Sequence, residues 1–149
     1  MPQSCVIAKE LARGVARALA QRGYTTLAEV PLANGRRADI LGLGRDGSLL
    51  IVEVKSSVAD FRSDRKWQDY RAFCDRLAFA VAADFPARLI PEDCGLIVAD
   101  PFGAAILREG IEGPLAAARR RALTLRFARL AASRLIRILD PSAFDPEPG

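Results

Sequence analysis

The chain has 149 residues, half of them hydrophobic and 27% charged, which suits one soluble domain with a sizeable core. It contains no histidine, so Ser-His-Asp and Cys-His catalysis and His-ligated metals are excluded. The net charge of +4 comes almost entirely from arginine, since Lys9, Lys55 and Lys66 are the only lysines; the balance is compatible with a polyanionic partner.

In chain order, Ser4 is the expected N-cap of a first helix over about Cys5 to Arg22. Ile7, Leu11, Val15, Ala18 and Leu19 form one stripe at helical spacing, with Lys9, Arg13 and Arg17 opposite. Glu10 falls at the edge of the stripe, one turn before Gly14. It is either an exposed helix glutamate or a neighbour of the carboxylates described below. Gly23 ends the helix, and Thr25 to Val30 reads as a strand near a sheet edge, closed by Pro31. Asn34-Gly35-Arg36-Arg37 is a turn whose arginines are either solvated or a hold for phosphate.

Arg37 to Leu41 and Leu49 to Val54 are the next two strands. The second is a short, continuous apolar run, as in a strand buried on both faces. It runs into Glu53-Val54-Lys55, where Glu53 and Lys55 share a side. A charge at the end of a buried strand is costly unless it has a partner or a metal. If Arg45-Asp46-Gly47 is a three-residue hairpin loop with Gly47 left-handed, Gly44 faces Ser48, Leu41 faces Ile51 and Asp39 faces Glu53. Opposed residues share a face, so this register gathers two carboxylates and a lysine.

Ser56 to Tyr70 is strongly polar and holds the only tryptophan. Ser63 or Asp64 is expected to cap a helix reaching about Asp75, with Trp67, Tyr70 and Cys74 on one face. Arg62, Arg65 and Lys66, interleaved with Asp60, Asp64 and Asp69, are either a solvated face or a phosphate-binding rim. Leu77 to Ala83 is a second buried strand, parallel to the first through a right-handed crossover. Phe85 to Ile90 is a short helix or turn. Gly95 to Ala99 and Ala104 to Arg108 are two further strands. After a break at Gly110 to Pro114, a final helix is expected over Leu115 to Leu139. Its apolar face is Thr124, Phe127, Ala128, Ala131, Leu135, Ile138 and Leu139; Arg119, Arg126, Arg129 and Arg137 lie opposite, either solvated or, as a minority reading, a nucleic-acid contact. The chain thus reads as a single domain over residues 1–140 with a loose tail, 141–149. Three widely spaced cysteines argue for a reducing cytoplasm and against a disulfide framework or zinc site. Neither a secretory leader nor a membrane-spanning run is expected.

Two carboxylates and a lysine on adjacent strands suit phosphodiester hydrolysis. Hard oxygen ligands select Mg²⁺ or Mn²⁺, which lowers the pKa of a bound water and neutralises phosphate charge. A lysine alongside orients that water or stabilises the pentavalent transition state.

Asp39 followed fourteen residues later by Glu53-Val54-Lys55, with a helix before and a helix and strand after, resembles the PD-(D/E)xK nuclease superfamily. More closely, Val52 to Tyr70 (VEVKSSVADFRSDRKWQDY) is similar to the MmcB family of bacterial DNA repair proteins, a likeness extending over roughly residues 4 to 140. The resemblance implies a restriction-endonuclease-like mixed β-sheet flanked by helices, with an αβββαβ core. It also implies Mg²⁺-dependent endonuclease or exonuclease action on DNA, a cytoplasmic, nucleoid-associated location, and DNA and other repair proteins as partners. By position, Asp39 and Glu53 would ligate metal with the Val54 carbonyl, Lys55 would be the catalytic lysine, and Glu10 would stand for an acidic residue on the first helix. Gln68 and Tyr70 fall near a glutamine and tyrosine found after the motif in some members, at different spacing. Arg36, Arg37, Arg62, Arg65, Lys66, Gln68 and Tyr70 are thus candidates for DNA contact. Ala38 departs from the usual proline. The alternative function is a non-catalytic DNA-binding or recruiting module that keeps the nuclease fold. A transcription-factor reading is weaker, because no helix-turn-helix pattern occurs.

Overall fold

The computed structural model describes residues 3–143. The continuous apolar run at Leu49–Val54 (β3) forms a strand with all six residues buried, in the interior of a six-stranded sheet. The other strands are Thr25–Pro31 (β1), Arg37–Leu43 (β2), Arg76–Val81 (β4), Gly95–Ala99 (β5) and Ala104–Arg108 (β6). They lie side by side in sequence order. β3, β4 and β5 run parallel, while β1, β2 and β6 pair antiparallel to their neighbours.

Burial on both faces of β3 requires cover on both sides. Helix α1 (Gln3–Gln21) supplies one cover, burying Leu11, Val15 and Leu19 against Ile40, Leu50, Val52 and Val54. The helix already includes Ser4. Gly14 lets α1 approach the β5–β6 turn: a Cβ there would stand 1.8 Å from the Asp100 carbonyl oxygen. Arg13 donates to the Pro101 carbonyl of the same turn at 2.9 Å. On the opposite sheet face, Leu41, Ile51, Leu77, Phe79 and Val81 pack beneath the β3–β4 connection and helix α3 (Ala117–Leu139).

The β2–β3 hairpin follows its turn chemistry. Gly44 N–H donates to the Ser48 carbonyl, Gly47 takes φ +86°, and Leu41 pairs with Ile51.

Two expectations need correction. The single helix from Ser63 or Asp64 to Asp75 does not form. Helix α2 (Val58–Ser63) is instead capped by the Ser57 side chain, which accepts the Asp60 N–H, and the chain turns out of it at Asp64. The Asp64 carboxylate accepts the Lys66 N–H at 2.9 Å, a local bond that competes with helix continuation. Trp67–Phe73 then forms a 3-10 turn, whose three-residue period keeps Trp67 and Tyr70 on one face against the core.

The second correction concerns α3. Its buried residues are Leu123 and Phe127, whereas Leu135, Ile138 and Leu139 are exposed. Arg119 and Arg126, expected in solvent, bind the domain: Arg119 donates to the Ala72 carbonyl and stacks on Phe73, and Arg126 donates to the Pro31 carbonyl. Arg120 forms a two-pronged ion pair with buried Asp75, whose carboxylate also accepts the Leu49 N–H. Of the expected tail, Pro141–Ala143 make a 3-10 turn, and residues 144–149 lie outside the described residues.

Candidate functional site

The β2–β3 ladder runs from Leu43 paired with Leu49 to Ile40 paired with Val52, and there it stops. The next residues in that register are Asp39 and Glu53. Their side chains take over the bonding. Glu53 Oε2 accepts the Asp39 N–H at 3.2 Å, and Asp39 Oδ2 accepts the Val54 N–H at 2.8 Å. The two carboxyl groups are thereby held against each other at the strand end.

Glu53 is 3% exposed and pairs with Phe79 across the parallel ladder. Burial, and then the adjacent Asp39 carboxylate, push the Glu53 carboxyl up to about 9. In the metal-free protein it is therefore protonated at neutral pH. Tyr70 closes the site from the 3-10 turn. Its hydroxyl donates to the Arg37 carbonyl at 2.9 Å. Its phenol is raised above the usual range by burial and by the neighbouring Glu53.

Lys55 follows on the same strand side, 7% exposed, with its N–H bonded to the Ala80 carbonyl. Its ammonium pairs with Asp64 Oδ2 at 2.7 Å rather than with either carboxylate of the pair. Burial works to raise the Asp64 carboxyl, but Lys55 and the Lys66 N–H outweigh it, so it lies below its ordinary value. Asp64 therefore stays charged and supplies the counter-charge that buried Lys55 needs. Two further bonds tie the 3-10 turn across the site. Arg36 reaches Asp69 at 3.3 Å, and Asn34 donates to the Asp69 carbonyl.

The structure thus brings Asp39, Glu53, Lys55 and Tyr70 together. Glu10 is exposed on α1. A cavity of about 510 Å³ between α1 and β1–β2 reaches Asp39 and Val54; Lys9, Arg13 and Glu29 line it, and Glu10 does not. Arg37, Arg62, Arg65, Lys66 and Gln68 are exposed around the cover, and Arg36 is engaged by Asp69.

Sequence reasoning missed three features. Asp64 lay in a polar stretch whose pairings no periodicity reveals. The Arg120–Asp75 pair joins residues 45 positions apart. Glu29 sits at φ +50°, and Arg134 of α3 donates to its carbonyl and to that of Ala28.

Among the described residues, no group of three or more His, Cys, Asp or Glu side chains is arranged to hold a metal. What the site offers a divalent cation is an adjacent carboxylate pair, hard oxygen donors of the kind that suit Mg²⁺ or Mn²⁺. The buried proton on Glu53 is the one such an ion would displace.

Fold and site together define a mixed α/β protein with an interlocked carboxylate pair and a buried lysine at the end of an interior strand. The chain belongs to the MmcB-like family of DNA repair proteins, whose model matches residues 3–142. That membership suggests a role in DNA repair. The chain is also similar to a solved structure, the SPO1766 protein of unknown function from Silicibacter pomeroyi. The two are 44% identical, with a TM-score of 0.91 over 94% of this chain and 96% of that one. No curated protein matches the chain. No helix among the described residues is long and apolar enough to cross a membrane.

Proposed function

We propose that this protein is a divalent-metal-dependent deoxyribonuclease acting in DNA repair, with a PD-(D/E)xK site on a restriction-endonuclease-like core. The observation that carries this reading is the Asp39–Glu53 interlock where the β2–β3 ladder ends, with buried Lys55 on the same strand side. Asp39, Glu53 and the Val54 carbonyl would hold the ion. When bound, Mg²⁺ or Mn²⁺ supplies a water of lowered pKa and neutralises phosphate charge. Lys55 stabilises the charge that develops on the reacting phosphate. Asp39 braces β3 through the Val54 N–H and so fixes the strand end that presents both Glu53 and Lys55. Arg37, Arg62, Arg65 and Lys66, exposed around the site, serve as contacts to the DNA backbone.

A non-catalytic DNA-binding or recruiting module is the second reading. The observation favouring it is closure: Glu53 is buried under Tyr70, and Asp64 occupies the Lys55 ammonium.

The deciding experiment incubates the protein with single-stranded, duplex and branched DNA in Mg²⁺ or Mn²⁺, beside Lys55→Ala. Cleavage should fall on the order of 10²–10³-fold in the variant, the usual cost of one electrostatic donor, while DNA affinity stays near wild type. A folded variant that cuts at the wild-type rate rules out the role of Lys55. A wild type that binds DNA and cuts none of the substrates with either metal moves the assignment to the recruiting module.

A further inference from the structure

Helix α3 has two apolar faces, and the domain covers only one. Leu123, Phe127 and Leu130 pack inward. Arg119, Arg120, Arg126 and Arg134 reach from that side to the domain. On the outer side Leu125, Leu135, Ile136, Ile138 and Leu139 stand 60, 55, 42, 76 and 74% exposed.

These residues are not scattered. Leu125, Ala128, Ala132, Leu135 and Leu139 recur at alternating steps of three and four, the a and d spacing of a coiled-coil seam. Ile136 and Ile138 fall on the flanking e and g positions. All five large exposed apolar residues of the helix therefore belong to one stripe built to meet another helix.

The stripe is also its own complement when reversed. In an antiparallel pair related by a two-fold axis level with residue 130, Leu125 meets Leu135 of the second copy, Ala128 meets Ala132, and Leu139 meets the aliphatic stem of Arg121, whose charged end reaches solvent. At the flanks Thr124 meets Ile138, Ala122 meets Ile136, and Ala131 meets Ala131. Alanine against alanine at the centre lets the axes approach near the lower end of the roughly 8–10 Å range. The one like-charge confrontation is Arg129 with its copy.

We infer that the outer face of α3 is an isologous homodimer interface formed by antiparallel pairing of two copies of this helix. Charge argues against a polyanion as the occupant. The helix carries seven arginines and no acidic residue, but four of those arginines are held by the domain. What faces outward is five leucines and isoleucines with Arg121 and Arg129 among them, a face more apolar than basic. The five side chains expose on the order of 500 Å² of apolar surface, and a two-fold pair buries about 1,000 Å², the scale at which specific interfaces begin. The inference is independent of the nuclease reading.

Sedimentation velocity at tens of micromolar should show the wild type as a dimer. Leu135→Glu places two charges in the seam and should weaken association on the order of 100-fold. Circular dichroism should stay unchanged, because Leu135 is exposed in the monomer. Added salt should strengthen the dimer by screening Arg129, whereas a polyanion on this face would be released by salt. Disulfide trapping fixes the register. Ala128→Cys mixed with Ala132→Cys, each carrying Cys5→Ser, should cross-link far more than either variant alone. Three results would each overturn the inference: a monomeric wild type, a Leu135→Glu dimer of undiminished affinity, or Ala128→Cys cross-linking to itself as well as to Ala132→Cys.

Discussion

Replacing Glu53 with glutamine isolates the energetic consequence of burying a carboxyl beside Asp39. Glu53 titrates at 4.5 in its ordinary setting and at about 9 in the folded protein. Between those values the native state holds a proton that the unfolded chain has released. Stability therefore falls as pH rises through this window, the reverse of the usual carboxylate behaviour. From 4.5 to pH 8 is about three and a half pH units, each worth ~1.4 kcal/mol, so ionisation of the unfolded chain costs the native state about 5 kcal/mol. Glutamine is the neutral isostere. Its carbonyl can accept the Asp39 N–H as Glu53 Oε2 does, and its amide can donate to Asp39. In EDTA, urea unfolding followed by Trp67 fluorescence should give the two proteins similar stability at pH 5. At pH 8 Glu53→Gln should be more stable by about 3–5 kcal/mol. Saturating Mn²⁺ should close or reverse the gap, since only wild type offers two carboxylates. A stability difference that does not change between pH 5 and pH 8 would refute the argument, because Glu53 would then be ionised in the native state.

The same proton makes metal affinity pH-dependent. Calorimetric Mn²⁺ affinity should rise on the order of tenfold per unit between pH 6 and 8, and be lost in Asp39→Asn; equal affinity in Asp39→Asn excludes the site. Arg120→Ala leaves Asp75 buried with only the Leu49 N–H, and should cost about 2–4 kcal/mol by urea unfolding at pH 7. Arg120 holds the Asp75 carboxyl below its ordinary value, so that stabilisation is present above pH 4 and lost as pH falls further; the variant should show a flatter acid limb. Gly14→Ala drives a methyl into the Asp100 carbonyl and should cost about 2–3 kcal/mol, measured as a lowered thermal midpoint; an unchanged midpoint would mean α1 is free to move off the β5–β6 turn.

The sequence by itself determined the interior strand, the hairpin and the register. An apolar, β-branched run has nowhere to go but between two layers. A left-handed glycine closing a three-residue loop pins the strand opposite, which set Leu41 against Ile51 and brought Asp39 level with Glu53. These are local constraints, written in adjacent residues. Tertiary structure decided the rest. In the polar stretch after Lys55, several aspartates lie within reach in sequence, and only the folded path, turned out of α2 at Asp64, shows which one takes the ammonium. Helical periodicity reported that α3 is amphipathic, but a helix with two apolar faces gives one merged stripe until a partner surface claims one of them. Here Leu123 and Phe127 were claimed and Leu135 was left outside. The arginines of α3 read as solvated because charge on a helix usually is. Arg119, Arg120, Arg126 and Arg134 are instead engaged by carbonyls and a carboxylate contributed by β1, the 3-10 turn and the residue before β4, groups whose need for a donor exists only once the sheet is assembled.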